Sequence, residues 1–305
     1  LSTVYLGTSE FAAVILHRLA GEEAHRPALV ITRPDRPRGR GRRLSSPPVA
    51  DAARELGLAL EQPTNVNDPE VLELIARATA AEVEPATLIV CAFGALITEP
   101  LLSAHEILNV HPSLLPRWRG AAPVERAIMA GDQQTGVCIM RLTAGLDSGP
   151  VCLTGVEPIS PQDTYGTLSE RLQELGGELL VQALDQHLDF YEQPEQGVTY
   201  AEKIGPTDRV LDPTQSADAL ARVVRALHPH IGARLQFGED AAIGVLRAQC
   251  TDASEQPGQG ELLEDDGRLL LGCGDGVLEL LEVQPAGGRA MEAAAYLRGY
   301  GVPGR

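Results

Sequence analysis

Through the first hundred positions, short apolar runs alternate with segments whose apolar residues recur every three or four places. The run at 3–7 (TVYLG) predicts a strand, and Ser9 ahead of Glu10, Phe11 and an apolar pattern reaching Leu19 predicts a capped helix. A second strand at 28–32 (ALVIT) leads into a stretch rich in Gly and Pro, 33–48, which is expected to be a long irregular loop leaving the sheet. Amphipathic helices are expected at 48–57 and 68–80, with a short strand near 58–61 between them. The unbroken apolar segment at 86–92 (ATLIVCA) suits a central parallel strand buried on both faces, and 107–110 suits another. Strands separated by helices imply an α/β fold with a Rossmann-like, doubly wound parallel sheet, in which ligands sit outside the carboxyl ends of the strands. Phe93 and His111 fall at that edge.

A helix at 123–130 and strands at 135–142 and 151–156 continue the first domain, and helical spacing at Leu168, Leu172, Leu175, Leu179 and Leu188 closes it. The polar stretch 191–212 lacks sustained periodicity. Beyond it, a capped helix at 216–227 precedes strands at 233–237, 241–248, 268–272 and 277–284, separated by turn clusters such as Asp265-Asp266-Gly267. Short strands spaced by turns suggest a second, smaller OB-like β-barrel. The expected organisation is a catalytic domain over 1–189, a linker over 190–208 and a barrel domain over 209–305.

Composition narrows the function classes. No apolar run approaches the roughly 18 residues of a membrane span, so a soluble, cytoplasmic protein is expected. The five cysteines occur singly, which disfavours a zinc ribbon and a disulfide framework alike. His228 and His230 could form a metal pair, but with no third ligand in view a structural role is preferred, and no metal is expected. A net charge of -17 excludes nucleic-acid binding by bulk electrostatics. One local basic patch stands against that balance: Arg33, Arg36, Arg38, Arg40, Arg42 and Arg43, interrupted by one acid, Asp35. A single glycine, Gly7, stands where a dinucleotide fingerprint needs three, so a nicotinamide cofactor is disfavoured.

The chemistry concentrates at 109–120 (NVHPSLLPRWRG), where an amide, an imidazole and guanidiniums follow a strand. An ordinary Pro- and Gly-containing surface turn is the plain alternative. Asn109 and His111, two apart on a strand, face one side and could both donate to one oxygen, as acyl transfer requires. Asp147, in a Gly-rich turn, could accept the proton lost by an attacking amine. Direct transfer from a donor amide to an acceptor amine needs no Ser or Cys nucleophile.

Several blocks carry a family resemblance: Gly7-Thr8 with Glu10-Phe11-Ala12, Pro34-Asp35-Arg36-Pro37 with Gly39-Arg40-Gly41, 109–123 (NVHPSLLPRWRGAAP), Gly145-Leu146-Asp147, Thr199-Tyr200-Ala201-Glu202-Lys203 and Gln284-Pro285-Ala286-Gly287. On these the chain resembles the methionyl-tRNA formyltransferases over essentially its whole length; the central block is shared more weakly by all folate-dependent formyltransferases. The resemblance implies that the co-substrate 10-formyltetrahydrofolate gives its formyl group to the α-amine of methionyl-initiator tRNA, on a monomeric enzyme. Asn109, His111 and Asp147 match the family's catalytic positions. Ser113, Leu114, Leu115 and Pro116 match its folate-contacting segment, and Phe93, Leu96 and Ile97 would wall the pteridine, although they serve equally as core. The Arg-rich insertion would contact the tRNA acceptor arm through Arg36, Arg38, Arg40, Arg42 and Arg43. The nearest alternative is a sugar-nucleotide N-formyltransferase using the same folate donor, which needs no Arg-rich insertion; a non-catalytic RNA-binding module is a further one. The chain departs from the family pattern at Ser9, Ala50 and Phe93, where proline, lysine and tyrosine are usual. From Thr207 onward nine arginines and no lysine face fifteen carboxylates, an acidic balance for a tRNA-contacting barrel.

Overall fold

The computed structural model describes residues 3–38, 43–79, 86–186, 188–238, 241–253 and 256–303. It divides into two compact units: Leu1–Pro123, Gln134–Pro158 and Ser169–Ala201 form the first, and Val124–Gln133, Ile159–Leu168 and Glu202–Arg305 the second.

The chain opens with β1 (Thr3–Gly7), α1 (Glu10–Ala20), β2 (Pro27–Ile31), β3 (Arg36–Arg38), β4 (Arg43–Ser45), α2 (Pro48–Glu55), β5 (Leu60–Glu61) and α3 (Pro69–Thr79). It continues through β6 (Thr87–Cys91), α4 (Leu101–Ala104), β7 (Ile107–His111), β8 (Arg119–Gly120), α5 (Pro123–Ala130), β9 (Gln134–Arg141), β10 (Val151–Pro158), α6 (Tyr165–Asp185) and β11 (Tyr200–Ala201). Seven strands form one sheet in the order β10-β9-β7-β6-β1-β2-β5. The β7-β6-β1-β2-β5 portion is parallel, as the apolar runs predict. β9 and β10 add an antiparallel margin. Only residues 142–150 join these two strands, fewer than the crossover of about a dozen residues that a parallel pair requires.

Burial explains the unbroken apolar strands. Val4 and Leu6 pack with Leu88, Val90 and the α3 residues Val71 and Ile75 on one face. Tyr5 points the other way, and its hydroxyl donates to the Ala12 carbonyl of α1 at 2.6 Å. Ser9 caps α1 by accepting from the Ala12 N–H at 3.2 Å. Strand order reverses between β1 and β6, which sets Gly7 beside Cys91 at the carboxyl edge. There the Thr8 hydroxyl donates to the Phe93 carbonyl at 2.7 Å.

The Arg-rich stretch corrects the expectation of irregular structure. β3 and β4 pair antiparallel, with Arg36 opposite Ser45 and Pro37 opposite Leu44. A proline is tolerated because a two-stranded ribbon leaves one edge of each strand without a partner. Asp35 anchors the base by accepting from Gln62 at 2.8 Å and Ser46 at 3.2 Å. Arg40 and Arg42 lie outside the described residues.

The second unit adds α7 (Ala217–Leu227), β12 (Ala233–Phe237), β13 (Ala241–Thr251), β14 (Leu262–Asp265), β15 (Arg268–Gly272), β16 (Val277–Gln284), β17 (Met291–Glu292) and α8 (Ala293–Tyr300). Its sheet is antiparallel in the order β12-β13-β16-β15-β14, with β17 on β16. Asp266 and Gly267, both at positive φ (50° and 76°), make the two-residue turn between β14 and β15. Leu220, Val224 and Leu227 of α7 join Tyr296 and Leu297 of α8 in the core over this sheet. Arg126 and Asp208 form a bidentate pair at 2.9 and 3.1 Å. That guanidinium, above all, holds the Asp208 carboxyl below the ordinary carboxylate range. His230 bonds Glu125 at 3.0 Å and stacks on Tyr165 at 3.6 Å, consistent with a structural role. Among the described residues no group of His, Cys, Asp or Glu is arranged to hold a metal.

Candidate active site

β7 carries Asn109 and His111 to the carboxyl edge of the first sheet, on one face of the strand by its period of two. Both are buried, at 7% and 4% exposure. The Asn109 amide has no hydrogen-bond partner among the described residues, so its donors are uncommitted. The His111 ring is engaged on both sides: Nε2 lies 3.0 Å from the Trp118 carbonyl oxygen, and Nδ1 lies 3.7 Å from Asp147 Oδ2. A carbonyl oxygen only accepts, so Nε2 carries a proton, and whenever the ring is neutral its lone pair is at Nδ1.

Asp147 follows β9 in a turn and has a φ of 42°, a left-handed conformation uncommon for a residue with a side chain. Its Oδ2 accepts the Gly120 N–H at 2.8 Å. Gly120 itself has a φ of 120°, and a Cβ there would meet the Ala201 carbonyl at 2.8 Å. That closeness arises because β8 pairs with β11, Arg119 opposite Tyr200 and Gly120 opposite Ala201. Thr199 extends the connection, its hydroxyl accepting the Trp118 N–H at 2.9 Å and its carbonyl the Arg119 N–H at 2.9 Å. Within the polar stretch expected to be a linker, residues as far as Ala201 thus hold the segment that positions His111 and Asp147.

Gln193 is a neighbour of the Asp147 turn that sequence reasoning missed. Its amide donates to the carbonyls of Asp147 at 2.9 Å and Gly149 at 2.7 Å and accepts from the Arg119 guanidinium. It sits in a stretch without periodicity or motif, and only proximity in space reveals it.

The residues expected to contact folate are dispersed in character. Ser113 is fully buried, and its hydroxyl donates to the Arg117 carbonyl at 2.7 Å, closing the turn after β7. Leu115 packs on Cys138, Met140 and Val151, while Leu114 and Pro116 are half-buried. Phe93 and Ile97 belong to the core, whereas Leu96 is 75% exposed.

Comparison with known proteins shows the family. Residues 2–184 match the formyl transferase model and 203–301 the formyl transferase C-terminal domain model. Methionyl-tRNA formyltransferase of Neisseria gonorrhoeae is 40% identical over 312 residues, covering 99% of this chain and 98% of that one. The enzyme of the same name from Halorhodospira halophila is 42% identical over 302 residues, covering 97% and 95%. The chain belongs to the methionyl-tRNA formyltransferase family. The fold is also similar to an N-formyltransferase from Helicobacter canadensis solved with folinic acid and dTDP-3-aminofucose, with a TM-score of 0.66, 14% identity and coverage of 93% and 99%.

As a member of the methionyl-tRNA formyltransferase family, the chain is a transferase of formyl groups, and its family draws on folate-derived donors. Among the described residues no helix is long and apolar enough to cross a membrane.

Proposed function

We propose that this enzyme transfers the formyl group of 10-formyltetrahydrofolate to the α-amine of methionyl-initiator tRNA, working as a cytoplasmic monomer. The observation that carries the chemistry is the His111–Asp147 pair with the uncommitted Asn109 amide on the same strand face. The folate co-substrate supplies a formyl group on N10. Asn109 donates to the formyl oxygen as negative charge develops there during attack by the amine. The amine must lose a proton as its bond to the formyl carbon forms. Nδ1 of His111 and Oδ2 of Asp147, two acceptors 3.7 Å apart, receive that proton between them. Once protonated, Nδ1 becomes a second donor for the same oxygen. When the bond from the formyl carbon to N10 breaks, the proton passes to N10 and the pair returns to its starting state.

In this reading Ser113, Leu114, Leu115 and Pro116 hold the folate. Phe93, Leu96 and Ile97 wall the pteridine, Phe93 and Ile97 as buried side chains and Leu96 as an exposed apolar one. Arg36, Arg38, Arg40, Arg42 and Arg43 contact the tRNA, since guanidiniums pair with phosphate and stack on bases. The name of the relatives at 40% identity over nearly the whole chain supports the tRNA substrate over a sugar nucleotide.

The test is formyl transfer from 10-formyltetrahydrofolate to methionine-charged initiator tRNA, run beside an amino-sugar nucleotide. Formylated tRNA is expected; product from the sugar alone would overturn the assignment. Replacing Arg40 and Arg42 together by Ala is expected to weaken tRNA use while sparing folate binding.

A further inference from the structure

The Gln193 side-chain amide is engaged at both ends, by the turn that carries Asp147 and by Arg119. Its Nε2 donates to the Asp147 carbonyl at 2.9 Å and the Gly149 carbonyl at 2.7 Å. Its Oε1 accepts from Arg119 Nε at 3.0 Å and Nη2 at 2.7 Å. Only the amide NH₂ can serve two carbonyls and only the amide oxygen can serve two guanidinium donors, so the orientation of the group is fixed.

The two carbonyls flank a strained place. Asp147 has a φ of 42°, and such a conformation persists only where its surroundings over-determine it. Gly149 is equally constrained, because a Cβ there would lie 2.0 Å from the Arg141 carbonyl. Gly120, which follows Arg119, donates its N–H to Asp147 Oδ2 at 2.8 Å. Asp147 is thus held at its backbone by Gln193 and at its carboxylate by Gly120, and Arg119 joins the two holders.

We propose that Gln193, oriented by Arg119, is a positioning residue that sets the Asp147 carboxylate opposite His111 for formyl transfer. The inference rests on the proton-accepting role given to Asp147 above. A staple that merely stabilised the fold would act equally well through any neighbour; this one acts through Asp147.

Gln193→Glu separates the two halves of the contact, since it keeps an oxygen for Arg119 and removes both donors to the turn. The first readout is amide hydrogen exchange, which needs no activity. Exchange at the Gly120 N–H is expected to quicken about tenfold or more, while the Arg119 N–H, bonded to the Thr199 carbonyl at 2.9 Å, keeps its wild-type rate. Equal quickening at both amides, or none at either, overturns the proposal. The second readout is kinetic: kcat is expected to fall about 100-fold with the KM for the folate donor changed less than about twofold. Placed on Asp147→Asn, the same substitution should cost nothing more, whereas an independent, multiplied loss overturns the inference. Arg119→Lys, which loses the planar fork but keeps the charge, should move both readouts the same way by less. A wild-type protein that fails to formylate tRNA while the Gly120 response appears as expected would sink the functional reading and leave the positioning role standing.

Discussion

Nδ1 of His111 faces Oδ2 of Asp147 across 3.7 Å, while Nε2 of the same ring is committed to the Trp118 carbonyl at 3.0 Å. The side of the imidazole that can exchange a proton with substrate is therefore the side that the aspartate shares. Asp147→Asn keeps an oxygen to accept the Gly120 N–H but cannot accept the amine's proton. Its kcat/KM for formyl transfer is expected to fall about 10²- to 10⁴-fold, with the melting temperature nearly unchanged. Wild-type turnover in this variant would remove Asp147 from the mechanism.

Asn109 offers a different signature, because its uncommitted amide is suited to the oxygen on which charge develops. Asn109→Ala should lower kcat about 10²- to 10³-fold while leaving donor binding close to wild type. Asn109→Asp should be slower still, since a carboxylate repels the developing charge. If Ala weakened donor binding as much as it slowed turnover, the residue would be a binding group and not an oxyanion donor.

The parallel core was legible because its strands are buried on both faces: 86–92 is apolar but for Thr87, and β6 occupies Thr87–Cys91 within it. Asn109, His111 and Asp147 were singled out by strand period and family resemblance, and the fold brings His111 and Asp147 within 3.7 Å of each other. Gln193 left no trace, since one glutamine in a polar stretch looks like any solvated residue until the fold brings it to the turn. The β3–β4 ribbon was hidden by its own arginines, prolines and glycines, whose turn chemistry outweighs a pairing of three residues per strand. Helix α8 escaped for another reason: AAAYLRGY buries Ala293, Tyr296 and Leu297 at helical spacing, yet its alanines give almost no apolar contrast.

In the second unit, the Arg126–Asp208 pair links stability to pH. Because the Asp208 carboxyl is held below its ordinary value of 3.8, the ionised form favours the folded state. That contribution is complete above the unfolded-state value and disappears as pH falls through the lowered folded one. Both side chains are partly exposed, at 20% and 28%, which places the pair between surface and buried cases. Asp208→Asn is therefore expected to cost about 1–2 kcal/mol in urea unfolding at neutral pH. The difference from wild type should shrink below about pH 4 and be lost in stronger acid. A difference that stayed constant into acid would mean that packing, not the charge, carries the effect.

The thiols supply a test of burial across both units. Cys91, Cys138 and Cys152 are buried, Cys273 is partly so and Cys250 is exposed. Burial pushes the Cys91 thiol up to about 12 and raises Cys138 and Cys152 as well. Cys250 is also raised, first by partial desolvation and then by Asp218. The thiolate is the reactive form, so an aromatic disulfide reagent should attack the one fully exposed thiol of the native protein first, and slowly at neutral pH. Peptide mapping should place the first adduct on Cys250, with a rate that keeps climbing at pH values above those at which an ordinary free thiol has already ionised. Cys273 should follow more slowly, and the other three should react only after denaturant is added. Native labelling of Cys138 as fast as Cys250 would contradict the packing of β9 against β7 and β10, and with it the antiparallel margin beside His111.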